Sequence, residues 1–350
     1  MKCQICKREI KVISSALKCC RDCIINFPKK AYPYILKAHK LAREPFSLPY
    51  PPPSSKSGVK CEQCLNRCQL KEDEISFCGM KKNEKGKLKR LAGDKERGIL
   101  EWYFDPLPTN CVASFVCEGS KMTSMENLAL FYGSCSFDCL FCQNWHFRFL
   151  SQNLSPSFSA SEIIAQIKPT TFCICFFGGD PSPQFPHVRE ICDFALKKGI
   201  RICFETNGGA SREIIKKMAQ YSLFSQGIIK FDLKAFNENL HFALTGVSNK
   251  NTLENFEFIA KTYLKKAKKP FLVASTLIVP GYVEKEEIEK IARFIASLDP
   301  EIPYSILAFS PQFLMKDLPL VSKKLAFECF EAAKKAGLLN VNLANLHLLV

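Results

Sequence analysis

A chain of 350 residues with 47% hydrophobic residues can bury a full core and exceeds the usual size of one compact domain, so a catalytic domain with something smaller attached is expected. The formal net charge of +15 is concentrated in two runs, Lys81 to Arg90 and Lys261 to Lys269, which carry no aromatic-interleaved RNA-binding motif and read as solvated faces of a loop and a helix; nucleic acid is not the expected partner. The longest apolar run, Phe271 to Val279, ends at Pro280-Gly281, well short of the roughly 20 residues of a membrane span, and the charged N-terminus lacks the pattern of a secretory signal, so a cytoplasmic protein away from membranes is the expectation. Nineteen cysteines in such a chain argue against a disulfide framework and for metal.

Residues 1–44 form a small cysteine-rich knuckle: Cys3, Cys6, Cys20 and Cys23 are two C-x-x-C pairs with the spacing of a zinc site, which leaves Cys19 as a spare thiol. Residues 45–58, rich in Pro and Ser, read as a linker. Residues 59–120 are a second cysteine-rich module, in which Cys61, Cys64, Cys68 and Cys78 supply four thiolates within a segment too short to bury its own core. Structural zinc is preferred there, because a fully thiolate-ligated site has no open position for chemistry. An auxiliary iron–sulfur cluster and no metal at all stay open, since such thiolates accept either metal. Cys111 and Cys117 close the module, where packing as small hydrophobes is favoured over ligation.

Residues 121–350 change texture to short apolar runs alternating with amphipathic stretches, the pattern of βα units around a parallel sheet. Strands are predicted at Leu128 to Tyr132, Phe172 to Phe177, Ile200 to Glu205, Ile228 to Leu233, Phe271 to Val279 and Tyr304 to Phe309. Helices are predicted near 160–168, 187–198, 211–220, 251–266, 284–297 and 322–336, several opening after Ser or Asn. Six units rather than eight predict an α/β fold, a partial and open (βα)6 barrel. Chemistry in such barrels sits at the carboxyl ends of the strands. Cys173, Cys175, Cys192 and Cys203 fall within strands or helices and are expected in the core.

Behind the first strand stand Cys135, Cys139 and Cys142, as Cys135-Ser-Phe-Asp-Cys139-Leu-Phe141-Cys142-Gln-Asn-Trp. Three thiolates on one loop can hold three irons of a cubane and leave the fourth iron open, which fits iron–sulfur ligation better than a four-ligand zinc site. The second strand ends in Gly178-Gly179-Asp180-Pro181, where glycines permit close backbone approach to a ligand and a carboxylate can accept from an ammonium group. The third ends in Glu205-Thr206-Asn207-Gly208 and the fourth in Asp232-Leu-Lys234, whose alternation puts Asp232 and Lys234 on one face.

Over roughly residues 100 to 345 the chain resembles the radical S-adenosylmethionine (SAM) superfamily, and within it the branch of the pyruvate formate-lyase activating enzymes. The wording Cys139-Leu-Phe-Cys142-Gln-Asn-Trp is close to that branch, and Leu244-Thr-Gly-Val-Ser-Asn249 and Val279-Pro280-Gly281 also follow its pattern. The resemblance implies an oxygen-sensitive [4Fe–4S] cluster on Cys135, Cys139 and Cys142 whose open iron chelates SAM, with Phe141 near the adenine and Gly178, Gly179 and Asp180 at the cofactor's amino group. It also implies Asp232 on the ribose side, Lys234 at the methionine carboxylate, and Glu205 with Thr206 beside a monovalent cation. The chain departs from the branch at Ser275 and Thr276, where Arg and His are common, and at Ser310, where a His is common. Those departures bear on the substrate more than on the cofactor.

The chemistry so implied is reductive cleavage of SAM to a 5′-deoxyadenosyl radical that abstracts hydrogen from a substrate, with no side chain needed as acid or base. The electron would come from a donor such as flavodoxin or ferredoxin. The substrate would be a separate glycyl radical enzyme, since the chain has no Arg-Val-x-Gly-Tyr segment of its own. A small molecule, an RNA or a peptide is the alternative substrate, and a metal-stabilised nucleic-acid-binding module is the remote alternative.

Overall fold

The computed structural model describes residues 1–109 and 111–350. Two helices, α1 (Arg21–Asn26) and α2 (Pro28–Arg43), follow the first cysteines. A two-strand ladder, β1 (Val59–Lys60) with β2 (Gln69–Leu70), and a hairpin of β3 (Lys81–Glu84) and β4 (Lys87–Arg90) build the second cysteine-rich module. The remainder surrounds one sheet. It takes β5 (Gly98–Pro106), β6 (Glu126–Tyr132), β7 (Ser157–Phe158), β8 (Thr171–Gly178), β9 (Arg201–Thr206), β10 (Ile229–Asp232), β11 (Leu272–Leu277), β12 (Tyr304–Leu307) and β13 (Val341–Ala344). The helices between them are α3 (Phe147–Asn153), α4 (Ala160–Ile164), α5 (Phe185–Lys197), α6 (Arg212–Phe224), α7 (Glu238–Thr245), α8 (Lys250–Tyr263), α9 (Lys285–Leu298) and α10 (Lys323–Lys335).

Strand order is β13-β12-β11-β10-β9-β8-β6-β5-β7, parallel from β6 through β13 and antiparallel at β5 and β7. The two outer strands β7 and β13 do not pair with each other, so the barrel is open, as an incomplete set of βα units requires. All six predicted strands are present, and β13 and β5 extend the sheet beyond them. Helix starts follow local chemistry: Ser159 and Glu162 form a reciprocal capping box at α4, Ser322 accepts from the Leu325 N–H at α10, and Asn237 accepts from the Leu240 N–H at α7. Among the described residues no helix is long and apolar enough to cross a bilayer.

The N-terminal arm packs against the same core as the sheet. Pro28 opens α2 at a position whose N–H would go unused, and Ala31, Ile35, Ala38 and Ala42 line its inward face, joining the apolar core that runs through β6 to β12. Tyr282, after β11, fastens the preceding knuckle: its hydroxyl accepts from the Ser14 N–H at 2.9 Å and donates to the Cys19 carbonyl at 3.0 Å.

Two polar side chains share the inward face of α2. His39 Nδ1 lies 2.8 Å from Oδ2 of Asp138, and Arg43 Nη1 lies 3.5 Å from its Oδ1. Asp138 sits between the second and first cysteines of the Cys135–Cys142 loop, and Arg148 of α3 donates to it at 2.7 Å; all four side chains are buried. Arg43 also donates to the Phe77 carbonyl of the cysteine-rich module. Burial by itself would raise the Asp138 pKa, but Arg148, the His39 hydrogen bond and Arg43 hold it far below the ordinary carboxylate value. Among the described residues, Asp138 is the sole carboxylate paired with either arginine. Asp138→Asn therefore leaves two buried guanidinium groups uncompensated. Denaturant unfolding of the variant is expected to show a loss of ~3–5 kcal/mol, and a loss below ~1 kcal/mol, the scale of an exposed pair, would show that this cluster does not hold the loop.

Candidate active site at the mouth of the barrel

A cavity of about 430 Å³ opens where the strand ends converge. Its upper wall is the loop after β6, with Cys135, Cys139, Phe141 and Cys142. That loop is fastened on several sides. The Asp138 and Leu140 N–H groups donate to the Thr245 and Leu244 carbonyls at 2.8 and 3.0 Å, and the Asp180 N–H donates to the Ser134 carbonyl at 2.6 Å. The Phe137 N–H and Asn207 Nδ2 reach the Cys135 sulfur at 3.4 and 3.5 Å.

The end of β8 explains why its glycines matter. Gly178 has φ +111°, and a Cβ on Gly179 would come 2.2 Å from the Ser134 carbonyl oxygen, so glycine alone allows this close crossing of the two loops. Both glycines line the cavity. Asp180 does not. Its carboxylate is fully buried and accepts from the Ser182 N–H, Thr206 Oγ1 and the Asn207 N–H, each at 2.8 Å. Burial raises its pKa, while those bonds oppose the rise. The side chain is thus spent on tying the β8 loop to the β9 loop, and Thr206 on the same tie, so neither presents its polar atoms to the cavity as the resemblance implied. Being one methylene shorter than the glutamate usual in the branch, Asp180 stays inside the loop.

On the opposite wall, Asp232 and Lys234 both line the cavity, and the Lys234 ammonium lies 3.0 Å from Asp232 Oδ2 and 6.0 Å from the centre of the Phe141 ring. Burial lowers the Lys234 pKa, and Asp232 and the Cys139 thiol more than reverse this. Ser275, which stands where Arg was common, donates to Asp232 at 2.5 Å, and Thr276 donates to the Leu233 carbonyl at 2.7 Å. The departures in β11 therefore hold the end of β10 in place. Lys230 was not singled out from sequence. Its buried ammonium bridges Glu205 at 3.0 Å and Asp232 at 3.1 Å, supplying the positive charge next to Glu205 for which a monovalent cation was expected. The alternation that marks Lys234 on β10 marks Lys230 equally, two residues before Asp232.

Cys192 lies in the main core and Cys173 in a buried cluster with Leu107 and Phe172, as expected, but Cys173, Cys175 and Cys203 also line the cavity, together with Cys111 and Cys117. Cys175 and Cys203 are register partners on β8 and β9, and the Cys173 thiol donates to Asn127 Oδ1 at 3.4 Å.

The other expected metal sites separate by geometry. The sulfurs of Cys3, Cys6, Cys20 and Cys23 all lie within 4.8 Å of one another, a set able to bind a metal ion. Cys19 is buried outside it, with burial pushing its thiol up to about 12. No other group of three or more ligand atoms among the described residues is that close. Cys135, Cys139 and Cys142 supply three thiols from one loop, one short of the four protein ligands of a structural zinc site. Three thiols can hold three irons of a cluster, and with Lys234 and Arg148 near Cys139 they form a soft donor set with cations at hand. Burial pushes the Cys139 thiol up to about 12, and the thiolate form needs the compensation that bound iron gives. The residues present fit a [4Fe–4S] cluster.

Residues 130–295 match the profile of the Radical SAM superfamily. A protein of Methanocaldococcus jannaschii, named for a proposed role as a glycyl-radical enzyme activating enzyme, is 29% identical over 196 residues, covering 54% of this chain and 70% of its own. The pyruvate formate-lyase-activating enzyme of Staphylococcus aureus is 26% identical over 190 residues, 51% of this chain and 73% of its own. Among solved structures, a domain of a pyruvate-formate lyase-activating enzyme from Bacteroides vulgatus superposes with a TM-score of 0.40 at 20% identity, covering 49% of this chain and 99% of that one. The chain therefore carries a radical SAM domain and is an enzyme with relatives among the activating enzymes of glycyl radical enzymes.

Proposed function

We propose that the protein reductively cleaves SAM at a [4Fe–4S] cluster held by Cys135, Cys139 and Cys142, and that it does so to install a glycyl radical on a separate partner protein. The observation that carries the first part is that three cysteines of one loop, with Asp232 and Lys234, line the same cavity. When bound, the cluster supplies the electron that breaks the carbon–sulfur bond. The chain's own residues do the rest. Lys234 offers a positive charge to the methionine carboxylate, Asp232 accepts from the ribose hydroxyls, and Phe141 gives an apolar face to the adenine. The backbone of Gly178 and Gly179 borders the amino group, while Asp180 and Thr206 position that backbone. Lys230 pairs with both Asp232 and Glu205, at 3.1 and 3.0 Å.

The activating role rests on the named relatives, and the electron is taken to come from a protein such as flavodoxin or ferredoxin. A partner with a backbone glycine near its surface, mixed anaerobically with the reduced enzyme and SAM, is expected to gain an organic radical visible by electron paramagnetic resonance. SAM cleavage with no radical on a co-encoded glycyl radical enzyme would turn the reading to a small-molecule, RNA or peptide substrate.

Anaerobically reconstituted protein with dithionite is expected to convert SAM to 5′-deoxyadenosine, and Cys139→Ala to abolish the product. Turnover persisting in a variant lacking all three of Cys135, Cys139 and Cys142 would overturn the assignment. Lys234→Ala is expected to weaken apparent SAM affinity by about tenfold to a hundredfold, the ~1.5–3 kcal/mol of a hydrogen bond to a charged group. Lys230 still balances Asp232 in that variant, so the cluster absorption should be unchanged. Unaltered affinity in a SAM titration would remove Lys234 from the site.

A further inference from the structure

We propose that Cys3, Cys6, Cys20 and Cys23 hold one structural zinc ion, and that this ion fixes the root of an arm bracing both walls of the cavity. Neither part depends on SAM cleavage.

Two turns bring the four sulfurs together. In the first, the Lys7 N–H donates to the Cys3 carbonyl and the Cys3 N–H to the Arg8 carbonyl, both at 3.0 Å, and Lys7 takes φ +61° to close it. In the second, Cys20 caps α1 and Cys23 follows three residues later, so both face one side of the helix start. The Gln4 N–H joins the two turns by donating to the Lys18 carbonyl at 3.0 Å, and the Cys20 N–H reaches the Cys3 sulfur at 3.4 Å. Arg8 Nε reaches the Cys6 sulfur at 3.5 Å. Such contacts orient ligand sulfurs from outside the metal. Cys3, Cys20 and Cys23 are buried, and the apolar packing around them is Ile13 with Ile5 and Ile10. So small a core does not order a knuckle, and a bound ion does.

The separation of the sulfurs selects a single ion. Four bonds of about 2.3 Å to zinc place sulfurs roughly 3.8 Å apart, and all four sulfurs here lie within 4.8 Å of one another. A cubane spreads its thiolates over four irons and needs them further apart. The set is also closed: four protein ligands leave no position for water or substrate, the mark of a structural site. Of the two ions that four thiolates commonly hold singly, zinc binds more tightly than ferrous iron.

The knuckle is fastened to both walls. After Cys23 the chain runs through α1 into α2, whose His39 and Arg43 reach Asp138 of the cysteine loop at 2.8 and 3.5 Å. On the other side Arg21, between the ligands Cys20 and Cys23, lies 3.9 Å from Glu287, which Lys290 also pairs at 3.2 Å. Glu287 is fully buried, and its other oxygen accepts from the Phe236 and Asn237 N–H groups, each at 2.9 Å. Those amides follow Lys234 by two and three residues. Tyr282 and Asp317 complete the attachment, the latter accepting from the Ser15 N–H at 2.7 Å. An ion that fixes Cys20 and Cys23 thus fixes the start of α1, and with it the positions from which α2 and Arg21 act.

Metal analysis of the full chain tests the site, with zinc read as a difference so that the other cysteines cancel. Wild type and Cys19→Ser, whose thiol lies outside the set, are expected to carry one zinc per chain more than Cys6→Ser. Cys6→His is expected to keep that zinc, because three thiolates and an imidazole hold it too. Equal zinc in all four proteins, or a difference carried by iron, would overturn the zinc. Since Cys6→Ser can fail to fold, wild type supplies a second arm. Cys6 is partly exposed, and its thiol is expected to resist alkylation in the native chain and to react once a chelator has removed the zinc. Alkylation at the same rate with and without chelator would overturn the site. For the bracing, amide hydrogen exchange over residues 28–43 and 235–237 is expected to be about tenfold faster in Cys6→Ser than in Cys6→His, and likewise in wild type after chelation. Unchanged exchange over both segments would overturn the bracing.

Discussion

A single buried carboxylate opposed by two arginines and a histidine joins three parts of the chain that have no reason of their own to meet. Asp138 lies in the cysteine loop, Arg148 in the following helix and His39 with Arg43 in the N-terminal arm. Burying any of these charges alone is prohibitive, and burying them together is tolerable only if the geometry is kept. The arm, the loop and α3 therefore order one another. Arg43 extends the constraint to the second cysteine module through the Phe77 carbonyl, so the wall that would hold a cluster is braced from behind by both cysteine-rich segments.

Most of the sheet was legible because buried parallel strands are short apolar runs with recognisable ends, and each motif at such an end came to the cavity mouth. What escaped was long-range. Helix α2 shows apolar residues at helical spacing and Pro28 at its start, yet a linker-like Pro/Ser stretch behind it hides that it packs on the barrel core. Asp138 reads as filler inside a cysteine motif, because its three partners come from 95 or more residues upstream and from 10 residues downstream. β13 was missed as a four-residue strand at the sheet edge, which periodicity cannot separate from loop.

Residue type was also a poor guide to where a side chain points. Asp180 carries the charge expected of a ligand-binding position, but its hydrogen bonds are all internal. Cys173, Cys175 and Cys203 look like core thiols in strand interiors, and the strands that bear them face the cavity. In an open barrel the inward face of a strand is core at one level and active-site wall at another, and strand alternation alone does not tell the two apart.

The same ambiguity governs the positive charge of the chain. A lysine run reads as solvated surface because an isolated buried ammonium is too costly to expect, and most of the residues between Lys82 and Lys89 do lie outward or part-exposed. The hairpin changes the argument for the two ends. Pairing Lys81 with Arg90 across β3 and β4 commits both to the inner side, next to thiols that the one-dimensional spacing had treated as a separate feature. Lys230 on β10 and Lys234 just after it repeat the arrangement, each cation facing a carboxylate or a cysteine of the cavity. On β10 and just after it the cations are stable inside because Asp232 and Glu205 face them, whereas burial raises the Cys139 thiol and leaves its ionisation to a bound metal.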